Sequence, residues 1–459
     1  MRTALIQVAY LAASVLFILG LKGMSSPETA RRGMLQAAVG MLVAVVGTLF
    51  HRDIVSYEWI VAGIVIGSAI GAAMAIFMPM TAMPERIALS HSFGGLAAAL
   101  VGVSEYYRHG AELGAIKMGA VGFEVVLGAL TFTGSLMAFG KLQGLIAGAP
   151  VTYKFQNPSN ITLLTITLGI VGYLIVVPSH QLLFYIMLGF GFLLGILLVL
   201  PIGGADMPVV ISLLNSYAGL AASATGFVLS NNILIISGAL DGASGFLLSI
   251  MMSKAMNRSF TNVLFGAFGA VTETSPIGAE SAVGGVNEGT IEDAATVLWN
   301  AQTVIIVPGY GMAVSQAQHG LRELADFLDS ANVTVKYAIH PVAGRMPGHM
   351  NVLLAEANVP YDQIYDLEAI NGEFSRTDAV LVVGANDVVN PAAKRNPASP
   401  IYGMPVLNVE EARTVIVLKR SMNPGFAGIE NELFVQPNTM MVFGDAKKTV
   451  TKLVEELRK

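Results

Sequence analysis

The sequence has no cysteine among its 459 residues. That excludes disulfides, thiol catalysis and Cys-ligated iron–sulfur or zinc sites. Charge is scarce too. Asp, Glu, Lys and Arg make up 12% of the chain, against about 25% in a soluble average. The little charge present leans acidic, with a formal net charge of -5, which argues against a nucleic-acid partner. What fills the chain instead is apolar: 54% of residues are hydrophobic. The charge is also unevenly spread. Residues 1–252 hold 10 Lys/Arg and 9 Asp/Glu, whereas residues 253–459 hold 16 and 22. The first part has the composition of a membrane protein and the second that of a mildly acidic soluble domain. A chain this long exceeds one ordinary core, so at least two domains are expected.

Spanning helices need about 20 mostly apolar residues. Such runs fall at roughly 3–21, 33–50, 58–78, 86–106, 117–139, 161–178, 181–200, 208–228 and 232–252. The expectation is a transmembrane domain over 1–252, a linker over 253–290 and a soluble domain over 291–459. The first run, Ala4 to Leu21, lacks a small-residue cleavage site and is read as a span rather than a cleaved signal. Glycines such as Gly63, Gly67, Gly71, Gly119 and Gly122 are spaced to let helices approach closely. Orientation follows from the cations. Lys22, Arg31, Arg32, Arg86, Lys141, Lys154, Lys254 and Arg258 fall on one side and Arg2, Arg52, Arg108 and Lys117 on the other. Lys/Arg excess marks the cytoplasmic side, so the C-terminal domain is expected there.

Ionisable groups at membrane depth are costly and by default functional candidates. His91, in LSHSFGGLAA of the fourth run, has an ordinary pKa near 6.5 and suits a group that gains and loses protons. Asn215, in LLNSYAGLAA of the eighth, can hold water or a histidine ring. For this pair a proton path and simple interhelical hydrogen bonding are both open. Glu124, Ser216 and Ser244 read as hydrogen-bonding glue between helices. Asp241 lies within the ninth run, and Asp206 in the GGAD turn before the eighth. A single span histidine does not supply the two axial ligands of a membrane haem. No metal site is expected.

Past the spans, 259–268 reads as a short interfacial helix and 273–289 as a flexible connector. Strands are then expected at 303–308, 334–339, 379–384, 405–407, 414–418 and 439–443, and helices at 311–330, 348–357 and 446–458. This alternation predicts a Rossmann-like α/β domain with a doubly wound, mostly parallel sheet after the α-helical membrane bundle. Its opening, Thr303 to Gln318, reads strand, glycine turn, helix. Gly309 permits the tight turn and Gly311 a close approach of backbone to a pyrophosphate at the helix start, while Val314 stands where a third glycine is usual. The alternative for these glycines is a plain tight turn. Ligands of such sheets lie outside the carboxyl ends of the strands. After the second strand comes HPVAGRMP, without the Asp or Glu that grips an NAD ribose; Arg345 offers a guanidinium to phosphate instead. Asn386 and Asp387 follow another strand, and either an Asx-type turn or a ribose or nicotinamide contact accounts for them. Lys419, Arg420 and Ser421 end the next strand, a set suited to a dianionic phosphate; a solvated charge pair is the alternative.

Taken together, GYGMAVSQAQ, HPVAGRMPGHMN, GANDVVNP, KRSM and GDAKK, with SHSFGG, GGADMPVV and LLNSYAG in the membrane part, resemble the β subunit of proton-translocating NAD(P) transhydrogenase over essentially the whole chain. The resemblance implies hydride transfer between NADH and NADP⁺ coupled to proton movement. It implies NADP(H) on this chain, in an orientation reversed from ordinary Rossmann enzymes, and NAD(H) on a separate α subunit. A dimer of αβ units in the bacterial inner membrane follows from it as well. By matching motifs, the nucleotide would be lined by Tyr310; by Val342, Ala343, Gly344, Arg345, Met346 and Pro347; and by Gly384, Ala385, Asn386, Asp387 and Val388. Gly403, Met404, Lys419, Arg420, Ser421, Met422, Asn423, Pro424, Gly425, Phe426, Asp445 and Ala446 would complete the lining. Lys419, Arg420 and Ser421 would take the 2′-phosphate, His91 and Asn215 the proton path, and Asp206 the join of the two domains. Asn423-Pro424 departs from the family's loop and stiffens it. The rival reading is a transporter or channel gated by a regulatory NADP domain, which would exchange no hydride; a weaker one is a flavin- or haem-linked membrane reductase.

Overall fold

The computed structural model of the chain describes residues 2–51, 54, 56–110, 112–146, 151–256, 260, 285–397, 399, 401–425 and 427–459. It divides into two compact units, Met1–Ile202 with Val210–Ser249 and Gly203–Val209 with Ile250–Lys459.

Among the described residues nine helices are long and apolar enough to cross a membrane, as the hydrophobic runs require. They are α1 (Arg2–Met24), α2 (Pro27–Leu49), α3 (Glu58–Phe77), α4 (Met83–His109), α5 (Ala115–Leu142), α6 (Gln156–Val176), α7 (Gln181–Val199), α8 (Met207–Val228) and α9 (Asn232–Ala255). Pro84 at the start of α4 sits where its missing N–H costs nothing. That start precedes the apolar run by three residues, which carries His91 more than two turns into the helix.

Small residues set which helices touch. A Cβ on Gly95 of α4 would fall 2.8 Å from the Gly128 carbonyl oxygen of α5, and one on Gly191 of α7 would lie 2.9 Å from Ala129 Cβ. Removing side chains there lets α5 pack tightly between α4 and α7. Glu124 is fully buried in α5, and Gly102 leaves the room, since a Cβ there would lie 2.6 Å from Glu124 Oε1. Gly122 likewise meets Val171 of α6 at 2.8 Å. Gly63, Gly67 and Gly71 do otherwise than expected: no described atom lies within 4 Å of a Cβ at any of them, and α3 buries no residue.

Tyr106 of α4 stacks on Phe184 of α7, with centroids 3.8 Å apart, and donates to the Pro178 carbonyl at 2.6 Å. The buried Lys141 ammonium donates to the carbonyls of Leu200 (2.6 Å) and Ile202 (2.7 Å) just past the end of α7. A cation there satisfies orphan carbonyls and complements the helix dipole. Lys141→Met keeps the length and removes the donor. A hydrogen bond to a charged group is worth about 1.5–3 kcal/mol, so a clear drop in the thermal midpoint of the detergent-solubilised chain is expected. An unchanged midpoint would mean the lysine caps nothing of consequence.

In the second unit six strands form one parallel sheet in the order β3-β2-β1-β4-β5-β6. They are β1 (Thr303–Pro308), β2 (Thr334–Ile339), β3 (Ile364–Asp366), β4 (Ala379–Val383), β5 (Thr414–Lys419) and β6 (Thr439–Phe443). The central strands are apolar and β-branched because both faces are covered; β4 is buried along its whole length. The helices are α10 (Ile291–Trp299), α11 (Tyr310–Ser315), α12 (Gln318–Ser330), α13 (His349–Glu356), α14 (Leu367–Ile370), α15 (Ala392–Arg395) and α16 (Ala446–Leu457). α10 opens on a capping box between Thr290 and Asp293.

Three local expectations change. The helix expected over 311–330 is two. α11 closes on Gln316, a left-handed residue at φ 53°, with the Ala317 N–H turned back to the Met312 carbonyl. No strand forms at 405–407, because Pro405 has no N–H to pair and its carbonyl is taken by His340 at 2.7 Å. β3 goes unpredicted because only three residues pair there. The interfacial helix expected at 259–268 lies outside the described residues apart from Phe260, and of 273–289 only 285–289 are described. There Glu288 bridges Met441 of β6.

Candidate functional site

Strand order turns back between β1 and β4, the switch point of a doubly wound sheet, where ligands bind outside the carboxyl ends. The loops at that edge are stitched together by backbone bonds. Gly309 donates to Val383 O (2.9 Å), Gly311 to Gly384 O (2.9 Å), Gly384 to Leu418 O (3.2 Å) and Gly444 to Lys419 O (2.9 Å). Glycine is required there by contact between loops. A Cβ on Gly311 would lie 2.7 Å from Gly384 Cα, and Gly384 itself is left-handed at φ 66°. Gly311 thus permits a close approach to the β4 loop, beside the pyrophosphate role expected from spacing.

Every described residue of the expected nucleotide lining ends or follows a strand of this sheet or, for Gly403 and Met404, follows α15. They divide by burial. The side chains of Ala343, Met346, Ala385, Val388, Met404 and Ala446 are in the core, so these positions offer backbone to the edge. Val314 and Met422 are exposed. Phe426 lies outside the described residues.

The polar side chains form two groups. At the β2 end, the Arg345 guanidinium lies over the Tyr310 ring, 4.4 Å from its centroid. The Arg345 backbone N–H donates to His349 Nδ1 at 3.0 Å, and Gly344, at φ 111°, makes space for that ring. The second group runs along the ends of β4, β5 and β6. Lys419 Nζ donates to the Asn423 carbonyl and lies 5.2 Å from the Phe434 centroid. Burial lowers its pKa below the usual ammonium range, and the Asp387 carboxylate opposes that. Arg420 pairs with Asp445 at 3.2 Å, and Asp445 caps α16 through the Lys448 N–H. Asp387 Oδ2 accepts from the Ala427 N–H at 3.0 Å, and a Cβ on Gly425 would fall 2.5 Å from Asp387 Oδ1. The loop after Ser421 is therefore latched to Asp387, which goes beyond a bare Asx turn.

Three residues of this edge were not singled out from sequence. Asn431 Nδ2 donates to Asn386 O (3.0 Å) and Oδ1 (3.1 Å), tying the β4 turn to the later loop. His340 accepts from the Val342 N–H and donates to Pro405, and His349 holds the Arg345 turn. Both histidines stand within HPVAGRMPGHMN, where attention to the one guanidinium hid them. Burial pushes the His340 pKa down to about 4 against the opposing Pro405 carbonyl; burial, then the Arg345 charge, pushes His349 to about 4. Both lie below the ordinary value near 6.5, so both are neutral when folded. Their contribution to stability is complete above pH 6.5 and is lost as pH falls toward 4, at most roughly 3 kcal/mol for each. A lower denaturation midpoint near pH 5 than near neutrality is expected, read from Trp299 fluorescence in a Trp59→Phe background. His340→Asn should flatten that dependence; equal midpoints in the parent would contradict it.

In the first unit His91 is half-buried and takes Asn215 of α8 as its side-chain hydrogen-bond partner. Its Nδ1 has no partner among the described residues. Asn215 Nδ2 in turn donates to Asp241 Oδ1 of α9 at 3.1 Å. Close packing of α8 on α9 positions both. Ser216 donates to the Gly242 carbonyl at 2.7 Å, and Gly245 leaves the space that Asn215 fills, since a Cβ there would lie 2.8 Å from Asn215 Nδ2. An Asp at the centre of a span costs about 2.5–3.5 kcal/mol to insert, so the cluster is a functional candidate. Asp206 ends a 3-10 turn at Gly204–Asp206 just before α8.

Spanning helices with a His–Asn–Asp cluster, followed by a doubly wound sheet with cations along its carboxyl edge, define an integral membrane protein carrying a dinucleotide-type domain. The comparisons narrow this. The model of the NAD(P) transhydrogenase beta subunit matches residues 6–456. Two proteins from Rhodospirillum rubrum, each named NAD(P) transhydrogenase subunit beta, are 52% identical over 465 residues, covering 100% of this chain and 100% of their own. The chain belongs to the NAD(P) transhydrogenase beta subunit family, whose chemistry uses nicotinamide nucleotides.

Proposed function

We propose that this chain binds NADP(H) at the carboxyl edge of its sheet and couples hydride transfer between NADH and NADP⁺ to proton movement through its spans. The observation that carries the reading is the run of Lys419, Arg420 and Ser421 at the end of β5, opposite a β2 end without a carboxylate. An NAD site places an acid at that second position to accept from the ribose 2′-hydroxyl. Here the position is His340, already bonded to Pro405, whereas two cations and a hydroxyl suit a dianionic 2′-phosphate. This donor set supports NADP(H) over NAD(H).

In this reading Lys419, Arg420 and Ser421 hold the 2′-phosphate, and Arg345, braced on Tyr310, holds the diphosphate side. Asp387 and Asn386 fix the loop that closes beside them. Bound NADP(H) supplies a hydride acceptor or donor, so no side-chain nucleophile is needed; positioning does the work. NAD(H) would come on an α subunit, with two αβ units per assembly. His91 gains and loses the proton with Asn215 as its partner, and that change biases the nucleotide domain between an exchanging and a transferring state. One charge crossing about 100 mV is worth roughly 2.3 kcal/mol, enough to shift such a balance about fiftyfold. The excess of Lys and Arg on one side of the spans supports an inner-membrane orientation with the C-terminal domain in the cytoplasm.

The test is NADH-driven reduction of an NADP⁺ analogue after adding the α subunit. Reduction with measurable proton movement is expected. A chain that binds NADP⁺ but transfers no hydride with a competent α subunit would favour a gated transporter instead.

A further inference from the structure

The membrane cluster holds two titratable groups, and the proposed function uses one. Asp241 lies nine residues into α9, roughly 13 Å along at 1.5 Å per residue, well inside a hydrocarbon layer about 30 Å thick. His91 lies eight residues into α4, roughly 12 Å along. The two groups converge on Asn215. An amide has one donating and one accepting end. Its donating end is given to the Asp241 carboxyl at 3.1 Å, which leaves the accepting end for the His91 ring, the amide's other partner. That arrangement matches a carboxylate on one side and a ring N–H on the other. Besides the contact with Asn215, Ser244 donates to the Asp241 backbone carbonyl at 3.0 Å, and Ser216 to that of Gly242. Among the described residues no lysine, arginine or second carboxylate pairs with it. Asp241 has an exposed side in this chain. A carboxyl facing lipid there is disfavoured, so that side belongs to water or to a neighbouring span.

We propose that Asp241 is a second proton-carrying site of the membrane path, exchanging its proton with His91 across Asn215. In the step the Asp241 O–H bond breaks and an N–H bond forms on the His91 ring, the proton crossing beside the amide on water. Neutral acid and neutral imidazole become carboxylate and imidazolium, and total charge is unchanged. Asn215 does not titrate; it holds the two ends in register. Proton entry from the exposed side then avoids the tightly packed seam of α8 and α9.

The inference rests on the proposed coupling, and one assay separates the two. The αβ complex is reconstituted in vesicles, and NADPH-driven reduction of an NAD⁺ analogue is followed with a pH dye over a pH series. Asp241→Asn keeps the shape and one hydrogen bond but carries no proton. It is expected to lower proton-coupled turnover by about tenfold or more and to move the pH–rate profile, with NADPH affinity retained. Asp241→Glu restores a carboxyl and is expected to recover most of the rate, which a purely structural loss would not predict. If the parent complex neither transfers hydride nor moves protons, the proposed function fails. If the parent does both and Asp241→Asn matches its rate and pH profile, or Asp241→Glu is as defective as Asp241→Asn, the second site is overturned.

Discussion

Replacing Lys419 and Arg420 together with alanine is expected to raise the dissociation constant for NADPH at least a hundredfold, while that for NADH stays within about threefold. Hydrogen bonds to charged groups contribute about 1.5–3 kcal/mol each, and each 1.4 kcal/mol is tenfold. Two such contacts to one phosphate act as a unit, so the losses will not simply add. In the proposed site Arg420 would exchange Asp445 for the phosphate, leaving Asp445 its cap on the Lys448 N–H. The one hydrogen bond Lys419 gives up is to a backbone carbonyl. Neither side chain holds the sheet together, so thermal stability should change little. Nucleotide titration followed by calorimetry reads both constants. A parallel loss for both nucleotides would place the cations on the shared diphosphate instead.

A second large effect is expected from Gly384→Val. The position is left-handed at φ 66°, where a β-branched residue is a true outlier. The new Cβ would fall 2.6 Å from Gly311 C and from Met312 N, both backbone atoms with no freedom to step aside. Strain and collision together put the cost above about 4 kcal/mol, a large share of the stability of a domain this size. The variant should lose nucleotide binding and show a sharply lower denaturation midpoint. Retained binding at the parent's midpoint would mean that the β1 and β4 loops are not held as described.

The membrane half was legible because its signal is length. The nine apolar runs match nine helices among the described residues, with ends displaced by a few residues, as where Pro84 starts α4 early. The sheet was legible because its central strands are unbroken β-branched runs. β3 escaped because only three residues pair, and 405–407 misled because an apolar pair beside Pro405 packs without joining the ladder. The break at Gln316 carries no glycine or proline to announce it. Among the site residues, those that end strands could be placed from pattern alone. What pattern could not show is partnership: that Asp387 latches the loop at Ala427, that His349 braces Arg345, or that Asn215 serves His91 and Asp241 together. These contacts join residues that spacing along one helix or strand does not pair. The same limit hid the contact of Gly311 with the β4 loop.

The central claim is that a nucleotide held by its 2′-phosphate is tied to a proton-carrying histidine in the spans. It is tested most directly by His91→Ala in the reconstituted αβ complex, with hydride transfer and proton movement recorded together. The account predicts that NADPH still binds but that proton movement stops and coupled turnover falls by about a hundredfold. Proton movement and hydride transfer that remain linked at the parent's ratio and rate would contradict it.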